Sequence, residues 1–431
     1  MQAANRRQFN RMLPAAGLLI IAAFGSVYLV NRDIYLRLID LWSFEPFRYP
    51  FLDTEYVTGL VSCWRKGFNV YVTNPCDAIG RLSDYPPLWL RLSFLAGDHR
   101  WATVLGVLQD CLFVLSLGLL PPVRGRFTTV LLLLAIVSPA AMFALERGNI
   151  DLLMFVMVLG GSVCLERSFP VRVCGYAAFL CAGLMKFYPL ILMARLIEET
   201  PRRLIAVAIP SAVLLTVATV PFVPEIRSAL AYVPRPSDFG DGFGSVQLGS
   251  GLADLMRHPE LAKPIRLALC SAAFLLAARL AMSAAFVDTA NTLTRREKSC
   301  LITGALLVCG CFLANANSGY RAVVLLLVLP GACAAALRAP TRAVRGLFKS
   351  VAVAMVCAMW ALIPMRVLGP HSAVVATVGP LPFFTAWLVR ETLWWLVFTV
   401  LLAVLLRVVA DSPLGQRAFN LRSARPIALR E

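Results

Sequence analysis

Apolar runs recur along nearly the whole of this 431-residue chain, separated by short breaks of charged, proline and glycine residues. A helix needs about 20 predominantly apolar residues to cross a hydrocarbon core of roughly 30 Å. On that basis the pattern predicts twelve spans, at about 12–30, 101–120, 127–145, 151–166, 173–185, 187–197, 204–222, 266–286, 299–315, 321–337, 350–367 and 388–409. No strand-rich stretch, low-complexity region or short-period repeat interrupts them. The expected fold is all-α, a polytopic transmembrane protein in which residues 1–431 make a single domain. The first run follows Arg6, Arg7 and Arg11 and has no clear small-x-small cleavage site, so it reads as a retained signal anchor.

Two polar insertions stand outside this rhythm. Residues 31–100 form a first external loop, and within it Tyr85–Leu95 mixes aromatics, Pro and Arg as an interfacial helix does, with Trp89 at headgroup depth and Arg91 snorkelling. Residues 221–264 form a second, whose Gly-rich stretch Phe239–Gly251 predicts a mobile loop, as a plain connection or a lid. It lacks the Lys and the strand–loop–helix setting of a phosphate-binding P-loop. The predicted spans 173–185 and 187–197 are short, and they join at Met185-Lys186-Phe187-Tyr188-Pro189. Charge followed by Pro breaks a helix, and broken backbone at membrane depth survives only in protein or beside a wet cavity. Lys186 is therefore placed in a cavity that opens outward.

Composition supports the membrane reading, at 59 % hydrophobic and 15 % charged with mean hydropathy +0.74. The net charge of +17 raises the question of nucleic acid, and its distribution answers it. With the N-terminus inside, the inner side carries about +16 and the outer about +1, the asymmetry of a cytoplasmic retention signal rather than a nucleic-acid surface. Both termini are expected inside. Of the 12 cysteines, Cys63 and Cys76 alone lie in the first external segment, where a disulfide and two free thiols are the alternatives. His99, His258 and His371 are the only histidines and no Cys-x-x-Cys occurs, so no metal site is expected.

Four polar clusters fall at the outer ends of the predicted spans: Asp53/Glu55, Glu146-Arg147-Gly148-Asn149-Ile150-Asp151, Lys186-Phe187-Tyr188-Pro189 and Asn315…Arg321. Charge this close to the bilayer costs enough that it usually has a partner or a function. Arg147, Lys186 and Arg321 can hold a phosphate, with Arg supplying a forked donor and Lys a point charge. Asp53 can take a proton from a hydroxyl as general base, with Glu55 orienting the acceptor or replacing it. Asn149 and Asp151 are expected at the substrate, and Tyr85, Tyr188, Trp89 and Tyr320 offer flat faces to a sugar or an isoprenoid. Asp110, inside a span, reads as a partner for a neighbouring helix. Asp238 and Asp241 are either solvated carboxylates or ligands to a divalent ion.

The ordered set Asp53, Gly67-Phe-Asn-Val-Tyr71, Tyr85-Pro-Pro-Leu88, Glu146-Arg-Gly-Asn-Ile-Asp-Leu152, Leu184-Met-Lys186-Phe-Tyr-Pro189 and Asn317-Ser-Gly-Tyr-Arg321 resembles bacterial glycosyltransferase family 87. The likeness is densest over residues 50–195. Members are membrane enzymes of the GT-C architecture. The resemblance implies transfer of one sugar, with inversion, from a polyprenyl-phosphate donor to a lipid or glycan acceptor. It places the reaction at the outer face of the inner (plasma) membrane, with no cofactor or metal, and marks Asp53 as the catalytic aspartate. The same polar clusters would also serve a flippase or transporter of a lipid-linked sugar, or a polymerase or ligase of polyprenyl-diphosphate glycans.

Overall fold

The computed structural model describes residues 11–43, 47–369 and 379–419; Arg6, Arg7 and His371 lie outside them. Of the described residues 78 % are helical. The only sheet among them is a two-residue antiparallel pair, Gly242 against Ser318 and Phe243 against Asn317. Among the described residues eight helices are long and apolar enough to cross a membrane, or nine if the bent pair Arg126–Ile136 and Pro139–Arg147 makes one span. The other three predicted spans are shorter apolar helices, Ile150–Cys164 and Phe169–Met185, and a 3-10 stretch, Tyr188–Glu198. The fold is that of a multi-pass membrane protein.

Local chemistry sets the boundaries. Asn31, Asp98, Ser138 and Asn149 cap the helices that follow them, each accepting a hydrogen bond from an N–H of the first turn. Thr294 and Glu297 form a capping box at the start of Arg295–Ala314. Helices Ile150–Cys164 and Phe169–Met185 approach closely at Gly161 and Gly175, where a Cβ on Gly175 would lie 2.8 Å from the Gly161 carbonyl. That is the small-residue contact by which membrane helices associate. The interior is apolar, with Phe312 stacked on Phe398 and Phe243 on Trp394. Leu19, Leu29, Leu267 and Leu275 are each more than two-thirds exposed, as side chains facing lipid tails are.

The two insertions depart from expectation. The first is not a plain loop, for it contains the helices Arg32–Leu41 and Leu52–Arg65. Tyr85–Leu95 is not one interfacial helix but a short helix, Leu88–Arg91, followed by a 3-10 turn. Trp89 is buried in protein rather than exposed to lipid, and its indole N–H donates to the Met185 carbonyl at 2.8 Å. A Trp donor inside protein must find an acceptor, and the broken end of Phe169–Met185 supplies one. The Gly-rich stretch is likewise built into the structure. Gly242-Phe243 pairs with the Asn317 turn, Ser245–Leu255 is helical, and Phe239 packs on Trp387. Arg390 and Trp387 hold the carbonyls of Gly240 and Asp238 from the last long helix.

Candidate active site

Asp53 occupies the first turn of helix Leu52–Arg65. The turn is fixed from outside, because Phe51 N–H donates to the Glu146 carbonyl (2.7 Å) and Thr54 Oγ1 donates to the Gly148 carbonyl (2.9 Å). Gly148 ends helix Pro139–Arg147 in the left-handed region, φ 55°, a conformation that favours glycine. A Cβ there would also sit 2.3 Å from Thr54 Oγ1. Glycine thus lets the second polar cluster lie directly on the first.

Both Asp53 oxygens are held. Arg81 Nη1 donates to Oδ1 at 2.8 Å, and Asn149 Nδ2 donates to Oδ2 at 2.7 Å. Arg81 is itself clamped by Asp77, which accepts from its backbone N–H, Nε and Nη2, and it lies 4.3 Å from the centre of the Tyr56 ring. Burial alone would lower the Arg81 pKa, but Asp77 and Asp53 outweigh it and hold the guanidinium more firmly charged than usual. Asp77 follows Cys76, which is disulfide-bonded to Cys63 with Cα atoms 5.8 Å apart, so the bridge ties this clamp to the end of the Asp53 helix.

Asn149 links the carboxylate to the cations. Its Oδ1 accepts from Asp151 N–H, and its carbonyl accepts from Gln109 Nε2. Asp151 accepts from Lys186 Nζ (2.8 Å), Tyr188 OH (3.0 Å) and Arg321 Nε (3.4 Å). Lys186 lies over Tyr85, Arg321 lies over Tyr188, and Arg321 also donates to Asn317 Oδ1. An unbroken run of contacts therefore leads from Asp77 through Arg81, Asp53, Asn149 and Asp151 to Lys186 and Arg321. Two cations share one carboxylate, so a single positive charge is left over. Two Lys186 hydrogens remain for another acceptor, and Arg321, which also lies against the Cys311 thiol, adds its charge beside them.

Several expected roles change. Asn149 and Asp151, expected to touch substrate, are 1 % and 0 % exposed, and they position Asp53 and the cations instead. Arg147 does not join Lys186 around Asp151: its Nε pairs with Glu146 (3.2 Å) and its guanidinium lies on Phe143. Glu55 does not stand beside Asp53. The segment is helical, and residues two apart on a helix diverge. Glu55 faces His99 (3.4 Å) and Tyr49, whose phenol is pushed up to about 12 by burial and then by the Glu55 hydrogen bond. Tyr85 is buried between Tyr56 and Trp89, while Tyr320 packs edge-on against Phe143. Asp110 is buried with its Oδ1 unpartnered among the described residues, rather than bonded to a neighbouring helix. Among the described residues no group of acidic, His or Cys side chains is arranged to hold a metal ion.

Sequence reasoning passed over Arg81, Asp77, Tyr56 and Asp84. Asp84 N–H donates to Tyr56 OH (3.1 Å), and Tyr56 OH lies 2.9 Å from Asp84 Oδ1. Burial first, then the charge of Asp84, raises the Tyr56 phenol. The available signal was the position of Arg81 and Asp84 between the external cysteine Cys76 and Pro86-Pro87. No family model, curated protein or solved structure matches the chain.

Proposed function

We propose that this protein is a membrane glycosyltransferase of the GT-C type, transferring one sugar with inversion from a polyprenyl-phosphate donor to a lipid or glycan hydroxyl. The observation that carries this reading is the run from Arg81 to Arg321, which sets a carboxylate and two cations at one end of the helical assembly. In the proposal the chain crosses the inner membrane twelve times and presents this end to the outer face. The donor enters from the bilayer, and its phosphate takes the remaining donors of Lys186 beside the charge of Arg321. Asp53 accepts the acceptor's hydroxyl proton as that oxygen bonds the anomeric carbon. The bond from that carbon to the phosphate oxygen breaks, and polyprenyl phosphate leaves with the electron pair. Each Asp53 oxygen accepts one protein hydrogen bond and has a second lone pair for the incoming hydroxyl. Arg81 and Asn149 keep the carboxylate aimed while it does so.

The test is to incubate the purified protein with a panel of polyprenyl-phosphate sugars and acceptor lipids, following donor and product by mass spectrometry. Wild type is expected to consume a donor and release polyprenyl phosphate. Asp53→Asn is expected to bind that donor and lose roughly 10²–10⁴-fold in transfer, the range of general-base catalysis. Transport of intact donor across vesicles without its consumption would replace the enzyme by a flippase, and near-normal transfer by Asp53→Asn would remove Asp53 as the base.

A further inference from the structure

Asp84 has an oxygen that nothing among the described residues holds, whereas the unpartnered oxygens of Glu55 and Glu146 are sealed inside the protein. Asp53 is held at both oxygens, Asp77 is enclosed by Arg81, and Asp151 is wholly buried under three donors. Asp84 is half-buried, and it meets Tyr56 through Oδ1 and its backbone N–H. Its Oδ2 accepts nothing from the protein among the described residues. The loop is not slack: Ser83 N–H donates to the Val70 carbonyl, Tyr56 holds Asp84 at two points, and Tyr71 OH donates to the Tyr85 carbonyl. Asp84 also lies between the two halves of the site. Tyr56 carries Arg81 on its ring, and Tyr85 next in sequence carries Lys186. Burial pushes the Asp84 carboxyl up, with Asp53 adding to the rise and Tyr56 and Lys186 opposing it, so both halves act on its charge.

A fixed carboxylate oxygen with no protein partner, set beside aromatic rings and a cation, matches a hydroxyl-rich ring linked to a phosphate. We propose that Asp84 recognises the sugar, its Oδ2 accepting a hydrogen bond from a hydroxyl of the donor whose phosphate is held by Lys186 and Arg321. This rests on the donor class proposed above. It assigns to Asp84 the discrimination between a sugar-bearing lipid and the bare lipid phosphate that leaves, which favours product release.

The experiment compares the binding of bare polyprenyl phosphate with that of polyprenyl-phosphate hexoses and pentoses, for wild type, Asp84→Asn and Asp84→Glu in nanodiscs. Wild type is expected to bind at least one sugar-bearing lipid about tenfold or more tightly than the bare lipid, the scale of a hydrogen bond to a charged group. In Asp84→Asn and Asp84→Glu that preference is expected to fall to within about threefold, with bare-lipid affinity unchanged. Unchanged bare-lipid binding certifies that a variant is folded, and if Asp84→Asn lacks it, Asp84→Glu decides alone. Retention of the wild-type preference in a folded variant overturns the proposal, as does a wild type that binds bare and sugar-bearing lipids equally. A wild type that binds neither lipid overturns the donor class itself, a result separate from either of those.

Discussion

At Gly148 one residue decides whether two polar clusters can meet. Its left-handed backbone costs an L-residue roughly 1–2 kcal/mol, and a side chain would press on Thr54 Oγ1. Gly148→Ala is therefore expected to lower stability by at least that amount, read as a fall in the thermal midpoint of the purified protein, and to reduce transfer by loosening Asn149 from Asp53. An unchanged midpoint and rate would show that the junction tolerates a Cβ. The neighbouring pair Asp53 and Glu55 shows what a linear reading misses. Their residue types and place were legible in the sequence, but their relation was not, because it depends on whether the segment is extended or helical. The helix sends Glu55 toward His99 and Tyr49, so Glu55→Gln is expected to retain most of the transfer activity that Asp53→Asn loses. If Glu55→Gln fails and Asp53→Asn does not, the roles are reversed.

Among the elements, the broken helix at Lys186 was readable because Lys followed by an aromatic pair and Pro cannot continue an apolar helix. The partner that makes the break tolerable was not readable: Asp151 was visible as a charge but not as the acceptor for three donors from two distant segments. Removing one member of a buried ionic group typically costs 3–5 kcal/mol, because the partners stay buried. Asp151→Asn is expected to destabilise on that scale and to exceed Lys186→Ala, since it strands two cations rather than one carboxylate. Equal thermal midpoints for the two variants would contradict this ranking. Arg81 and Asp77 were missed for a related reason: a loop has no period, and its ion pairs are set by how the chain folds back. The disulfide makes that fold-back stiff. Cys63 and Cys76 are 13 residues apart, and closing a loop of about that length stabilises by about 3 kcal/mol in the chain-entropy model. Reduction is expected to lower the thermal midpoint and to release the Asp77–Arg81 clamp, with a drop in transfer. A midpoint indifferent to reductant would leave the bridge no part in holding the site.

Across the whole molecule, charge and chemistry separate to opposite ends. Asp53, Lys186 and Arg321 gather at one end. The far ends of the same helices carry Arg172 with Glu199, Arg195 with Glu198, Arg296 with Glu166 and Arg338 with Glu297. These four carboxylates are each paired with an arginine, while Arg124, Arg342 and Lys349 remain exposed, so the excess positive charge stays on that side. Loops rich in Lys and Arg are retained in the cytoplasm, which would turn the candidate site outward. Single cysteines at Glu260 and Arg342, both exposed, test this once the exposed Cys174, Cys181 and Cys357 are replaced by Ser. A membrane-impermeant maleimide is expected to label Glu260→Cys on intact cells and Arg342→Cys only after permeabilisation. The reverse pattern would turn Asp53 and Lys186 to the cytoplasm, where the donor would have to be a lipid-linked sugar of the inner leaflet.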